Sequence, residues 1–219
     1  MFRTIRPTEI PASLTATSKK YNSPEVIEKL ENMFHGKCYL CERDRISDIN
    51  VEHLQPHKGQ DDALKYDWNN LFLSCTRCNG IKSGKENIID CTVYDVDKLI
   101  EIIPPHGDLS EIIVREGLNP SKIDISDTVK LVYDCYNDRS TGIKEISKIN
   151  LSQSIIKHYT TFLSIRFKLL NNHEPLTQME KMIEVDRLKI MCADNYPFSA
   201  FWKWLVYRDS QLKILIPLW

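Results

Sequence analysis

No stretch of this 219-residue chain approaches the roughly 20 consecutive apolar residues that span a bilayer. Runs such as Ile112 to Val114 and Ile214 to Trp219 are far too short, so no transmembrane helix is expected. The opening Met1-Phe2-Arg3-Thr4-Ile5-Arg6-Pro7 has no apolar run after its arginines, which argues against a secretory signal. A soluble, cytoplasmic protein without a membrane partner is expected. Charge of one sign is also lacking: 29 Lys plus Arg stand against 30 Asp plus Glu, a formal charge of -1, spread evenly on either side of residue 92. A domain that grips nucleic acid by bulk charge is therefore excluded, and any hold on phosphate must come from a local patch, a bound cation or a partner. Repeats and low-complexity tracts are absent. Gly80-Ile81-Lys82-Ser83-Gly84-Lys85-Glu86 is no nucleotide loop, being one residue short between its glycines and carrying Glu86 where a hydroxyl would hold Mg²⁺. Arg77, Lys82 and Lys85 read equally as phosphate contacts or as solvated helix residues.

The seven cysteines carry the first specific signal. An odd number without a secretory leader disfavours a disulfide framework, because a reducing cytosol keeps thiols free. Cys38 and Cys41 form one Cys-x-x-Cys pair and Cys75 and Cys78 another. Two thiolates at this spacing reach one ion, and four suit tetrahedral Zn²⁺ in a closed site with no open position for chemistry. The spacing predicts one structural zinc on Cys38, Cys41, Cys75 and Cys78. A redox pair at Cys75-Thr76-Arg77-Cys78 is the competing reading, but it leaves Cys38 and Cys41 unexplained. Cys91, Cys135 and Cys192 sit in apolar or helical contexts and read as small core residues.

The 33 residues between Cys41 and Cys75 exceed the roughly 15 to 20 of a simple zinc ribbon. Ile49 to His53 begins as an alternating strand that stops before Pro56, Gly59 to Asp62 is a loop, and Trp68 to Ser74 reads as a second strand. A polar helix is expected from Thr76 to Lys85, ended by Gly84. The order is knuckle, strand, loop, strand, knuckle, helix.

Glu52-His53, then Asn70-Leu71, then Cys75-x-x-Cys78-Asn79 with Lys82 behind it resembles the signature of HNH endonucleases on a zinc-braced ββα-metal fold, over about residues 36–88. The resemblance implies an α+β protein: an HNH nuclease domain at 1–95 with its N-terminal helix and zinc knuckles, then a mainly α-helical domain at 96–219 that binds a partner. It also implies that Asn70 is a framework residue that fastens the loop and orients the histidine. Asn79 stands where many members have a final histidine, a variation that supplies a neutral oxygen ligand and weaker metal binding. The size of the helical half looks like the PtuB-type nuclease subunits of Septu anti-phage systems, including retron-associated ones. That likeness implies a separate ABC-type ATPase partner (PtuA-like) and would account for the missing nucleotide site.

Phosphodiester hydrolysis asks for the same residue types on its own terms. It needs a base to activate water, a cation to neutralise phosphate and leaving oxygen, and a rigid frame for both. His53 is the natural base, since its imidazole titrates near neutrality. Glu52 and Asn79 offer oxygens to a hard cation, Mg²⁺ or Mn²⁺. His57 either lines the site or is an exposed turn histidine. Period-2 alternation sends Glu52 and His53 to opposite strand faces, so their meeting at one ion requires a bend or bulge near Pro56. The substrate, DNA or RNA, is left open. The alternative class is a non-catalytic zinc module that binds nucleic acid or protein as an adaptor.

Outside this segment, Ser23 as N-cap, Pro24 at the first position and the Ile27, Leu30, Phe34 stripe predict a helix over 23–35 stopped by Gly36, with His35 a favourable C-terminal cation. After Cys91, helices are expected around Ile125 to Tyr136, Ile155 to Leu169 and Met179 to Leu188, with loops at Pro104-Pro105 and Asn119-Pro120. Tyr196-Pro197-Phe198-Ser199 opens an aromatic helix whose Phe201, Trp202, Trp204 and Leu205 read first as core and second as a partner surface.

Overall fold

A computed structural model describes residues 1–107, 110–171 and 173–219. No helix among the described residues is long and apolar enough to cross a membrane. The fold is mixed α and β, with a helix-rich second half.

A helical turn, α1 (Ala12–Thr15), precedes α2 (Pro24–Met33), which starts where its cap chemistry requires: the Ser23 hydroxyl accepts the Val26 N–H, and Pro24 occupies the first turn. Its stripe of Val26, Leu30 and Met33 is buried. Two left-handed residues, His35 and Gly36, end it. Burial and then nearby Lys37 press the His35 imidazole below its ordinary value, against the cation expected there.

Strand β1 (Ile49–His53) runs antiparallel to β2 (Leu71–Cys75), pairing Ile49 with Cys75 and His53 with Leu71. Between them lie a turn of helix, α3 (Asp62–Lys65), and a 3₁₀ turn at Trp68–Asn70. The chain passes from Cys75 straight into α4 (Thr76–Lys82), shorter by one turn than the sequence suggests because Ser83 turns left-handed before Gly84 is reached. This ββα unit rests its fully buried β2 on α2 through the ring cluster of Phe34, Tyr39 and Phe72.

A short helix, α5 (Val96–Leu99), leads into a hairpin not anticipated from the sequence: β3 (Ile100–Ile103) paired antiparallel with β4 (Ile113–Glu116). Helices α6 (Ser126–Asn137), α7 (Gly142–Leu170), α8 (Gln178–Cys192) and α9 (Ser199–Arg208) follow, with a last turn at α10 (Leu212–Leu215). Thr177 and Glu180 close a reciprocal capping box at the start of α8. Phe201, Trp202 and Trp204 of α9 are core, the first of the two readings offered for them. The Trp204 indole donates to the carbonyls of Asp97 and Ile100. Met179 and Met182, expected on the inner stripe of α8, face solvent instead, and Glu184, Leu188 and Met191 are buried in their place.

One hydrophobic core joins the two halves, and Arg77 bolts them together. Its guanidinium donates to the carbonyls of Cys135 (2.9 Å), Asp138 (2.6 Å) and Lys144 (2.7 Å) and to the Ser147 hydroxyl (2.6 Å). It thus meets carbonyls at the C-terminal end of α6, where helix carbonyls lack partners, and ties that end to the first turn of α7. Arg77 is therefore neither a phosphate contact nor a solvated residue. Arg77→Ala should cost about 3 kcal/mol of stability, since charged hydrogen bonds to otherwise unmet carbonyls are lost. A urea midpoint unchanged by the substitution would refute this role.

Candidate active site

Four sulfurs meet where the two knuckles close. The ligand atoms of Cys38, Cys41, Cys75 and Cys78 all lie within 4.8 Å of one another, all four residues are buried, and Cys41 and Cys75 Sγ stand 3.9 Å apart. Four thiolates about 2.3 Å from one tetrahedral ion sit about 3.8 Å from each other, so the cluster has metal-binding geometry and a donor set that fits Zn²⁺. Hydrogen bonds among the crowded sulfurs press the Cys75 thiol well down and push those of Cys41 and Cys78 up. The first knuckle is tied to the second by backbone: the Tyr39 N–H donates to the Leu73 carbonyl on β2, and the Thr76 N–H to the Asp48 carbonyl at the foot of β1. Tyr136 of α6 donates its hydroxyl to the Cys41 carbonyl at 3.0 Å. The cluster therefore fixes the end of the strand pair at which β1 begins, β2 finishes and α4 starts.

On that frame Glu52 and His53 are 7% and 8% exposed. Pairing with β2 is continuous through His53, so β1 carries no bulge, and the two side chains go to different neighbours. Glu52 turns to α4, where its Oε1 lies 3.0 Å from the Lys82 ammonium. Lys82 is fully buried and also donates to the His53 carbonyl at 2.5 Å. It is thus neither solvated nor free to meet phosphate. Burial raises the Glu52 carboxyl above its ordinary range, with Lys82 pulling the other way.

His53 turns to the loop. Its Nε2 lies 3.0 Å from the Lys65 carbonyl. A carbonyl can only accept, so Nε2 carries a proton, and in the neutral ring Nδ1 holds the lone pair. Rings of Tyr21 and His57 stand edge-on to it, with centroids 4.9 and 4.5 Å away. Burial lowers the imidazole pKa, the hydrogen bond to Lys65 opposing. His57 thus lies beside His53, its own Nδ1 accepting the Gly59 N–H in a turn.

Asn70 closes the same loop. Its Oδ1 accepts the Gln55 N–H at 2.7 Å, and its Nδ2 donates to the carbonyls of Gln55 and Leu64, both at 2.9 Å. It therefore pins the chain on both sides of the segment that carries the Lys65 carbonyl. Asn79 is half-buried on α4, one turn before Lys82 and on the same helical face. Lys85, just beyond the end of α4, donates to the Ile81 carbonyl of that helix. Sequence reading missed the Lys65 carbonyl, Tyr21 and the burial of Lys82. The spacing of Lys82, three residues after Asn79, was the available signal for the last.

A hairpin and helix clasped by four cysteines, with an acid-His pair at the end of the first strand, is the arrangement of a nuclease ββα site. Residues 38–85 match the family model described as HNH endonuclease, so the chain carries an HNH endonuclease domain. The chain is also similar to the Septu protein PtuB of Bacillus mycoides (strain KBAB4), 36% identical over an alignment of 81 residues that covers 31% of this chain and 27% of the relative. It is also similar to the Septu protein PtuB of Bacillus thuringiensis, 38% identical over 80 residues, 33% of this chain and 31% of the relative. The matches thus span less than a third of the length of these curated relatives.

Proposed function

We propose that the chain is a metal-dependent endonuclease that hydrolyses nucleic-acid phosphodiester bonds as the nuclease effector of a Septu-type anti-phage complex with an ABC-type ATPase. The observation that carries this reading is the hydrogen bond between His53 Nε2 and the Lys65 carbonyl, within a segment that matches the HNH family model and is clasped by four clustered cysteines. Nδ1 is left to take a proton from the attacking water, and Asn70 holds the loop whose carbonyl sets that orientation. The carboxylate of Glu52 and the amide oxygen of Asn79 fit a hard cation that keeps most of its waters, and Mg²⁺ or Mn²⁺ would supply charge neutralisation at the phosphate. Glu52 is presented by its contact with Lys82, which holds the carboxylate against α4. Zn²⁺ on the four cysteines is the structural ion. His57, edge-on to His53, walls the base on its loop side. The match to PtuB proteins and the near-neutral charge of this chain support a partner that brings the nucleic acid or the nucleotide-driven trigger. Residues 96–219 would provide the surface for that partner.

The metal assignment is tested by Mn²⁺ titration of plasmid and RNA cleavage. Glu52→Gln and Asn79→Ala should each move half-maximal activity to at least about tenfold higher Mn²⁺ while zinc content stays at the parental level. Titrations that coincide with the parent would remove both residues from the cation site.

A further inference from the structure

Among the described residues, strand β4 pairs on one side only. The Gly117 N–H donates to the Leu99 carbonyl at 2.7 Å, which fixes the parity of the ladder: Arg115 and Ile113 exchange bonds with β3, while Ile112, Val114 and Glu116 aim N–H and C=O outward. At Ile112 that outward pair is already met. The Asn137 side chain accepts its N–H at 2.9 Å and donates to its C=O at 2.7 Å, as a neighbouring strand would. No described residue does the same for Val114 or Glu116. Beside them, between β4 and α6, lies a groove of about 620 Å³ lined by Val114, Glu116, Lys122, Ile123, Val129 and Tyr133. An edge with open backbone groups along a half-apolar groove is a template for a third strand.

Charge selects the occupant. Arg115, on the face of β4 away from α6, shares the buried carboxylate of Glu101 with Arg208, so two cations meet one anion and the face is left positive. Two copies of β4 that met about a two-fold axis and satisfied the same open groups would set Arg115 directly opposite Arg115, which like-charge repulsion disfavours. A foreign strand with a carboxylate at that position gains instead.

We propose that the outer edge of β4 docks an extended segment of a partner protein, which adds as a third strand with an acidic side chain opposite Arg115 and an apolar one over Val129 and Tyr133. This docking is independent of the nuclease chemistry. The test uses the whole protein and a fluorescein-labelled nine-residue peptide of alternating valine and threonine with a central glutamate, alongside the same peptide with a central lysine. Saturable anisotropy is expected for the glutamate peptide, about tenfold weaker binding for the lysine peptide, and slowed amide exchange at Val114 and Glu116 on binding. Val114→Pro removes one outward N–H without touching the β3 ladder and should weaken binding at least about tenfold at an unchanged melting temperature. Should that variant melt early, Tyr133→Lys, which alters only the groove, takes its place with the same expectation. No saturable binding, unchanged exchange at Val114 and Glu116, or parental affinity in the folded variant would overturn the docking site. Equal affinity for the two peptides would overturn the acidic assignment.

Discussion

Stripping the metal from the four-cysteine cluster, or replacing Cys75 with alanine, is expected to unfold the nuclease half and to carry much of the chain with it. The cluster is the joint at which both strands and α4 begin or end: Cys75 closes β2 and caps α4, Cys38 and Cys41 lie on the turn whose Tyr39 N–H bonds β2, and Tyr136 reaches in from α6. Structural zinc contributes about 10 to 16 kcal/mol of folding free energy in small modules, as much as the whole net stability of a typical domain, about 5 to 15 kcal/mol. Without the ion, four buried sulfurs crowd within 4.8 Å with no common partner to hold the knuckles together. Because one core spans both halves, the loss should appear as a single lowered transition with no native-like remainder. Metal analysis should give one zinc per parent chain and none for Cys75→Ala, and the variant's thermal transition should fall by tens of degrees or vanish. A Cys75→Ala protein that melts close to the parent would show that packing alone holds the knuckles.

The ββα module was legible because its determinants are local. Cysteine spacing, the alternation of Ile49 to His53 and the Ser23-Pro24 cap each act within a few residues, and each lies in the expected element. What could not be read depends on distant partners. Lys82 and Arg77 look like surface charges in a polar helix, yet Glu52 sits on a strand thirty residues earlier and the Arg77 acceptors lie some sixty residues later. The β3–β4 hairpin was hidden because each strand has four residues, too few for a period to declare itself beside the prolines at 104 and 105. The solvent-facing methionines of α8 misled for the opposite reason: their spacing is helical, but Glu184, paired with Lys168 and Arg187, takes the buried face.

The relation between Glu52 and His53 was half legible. Alternation alone foresees opposite faces, and the unbulged register keeps them there. The sequence does not reveal how one chemical unit can still be built from them. Lys82 provides the link, since its ammonium contacts the Glu52 carboxylate and the His53 carbonyl together. The Glu52 side chain and the His53 backbone are thereby tied to one buried cation at the end of the strand. In the proposed reading, a base that works on a water molecule and a carboxylate that works on a cation need not share a ligand sphere; they need a rigid offset, which the buried Glu52–Lys82 pair beside the four-cysteine cluster would supply.

His53→Ala should therefore abolish cleavage while leaving the fold intact, the outcome that separates a nuclease from an adaptor. A positioned general base contributes about 10² to 10⁴ in rate, so cleavage of plasmid DNA or of RNA with Mg²⁺ or Mn²⁺ should fall by at least about a hundredfold. The structural cost is small, because the imidazole makes one hydrogen bond, to the Lys65 carbonyl, and the loop stays pinned by Asn70: about 1 kcal/mol, or about 2 to 4 °C in melting temperature. Zinc content should be unchanged. The assay is run with and without an ABC-type ATPase partner, so that silence of the isolated chain is not mistaken for absence of activity. Phage protection gives the second readout. A nuclease loses protection with His53→Ala and with Cys75→Ala alike, whereas an adaptor loses it only with the cysteine, since only the fold then matters. Full cleavage or full protection by a folded, zinc-replete His53→Ala protein would remove the imidazole from the chemistry and return residues 38–85 to the role of a scaffold.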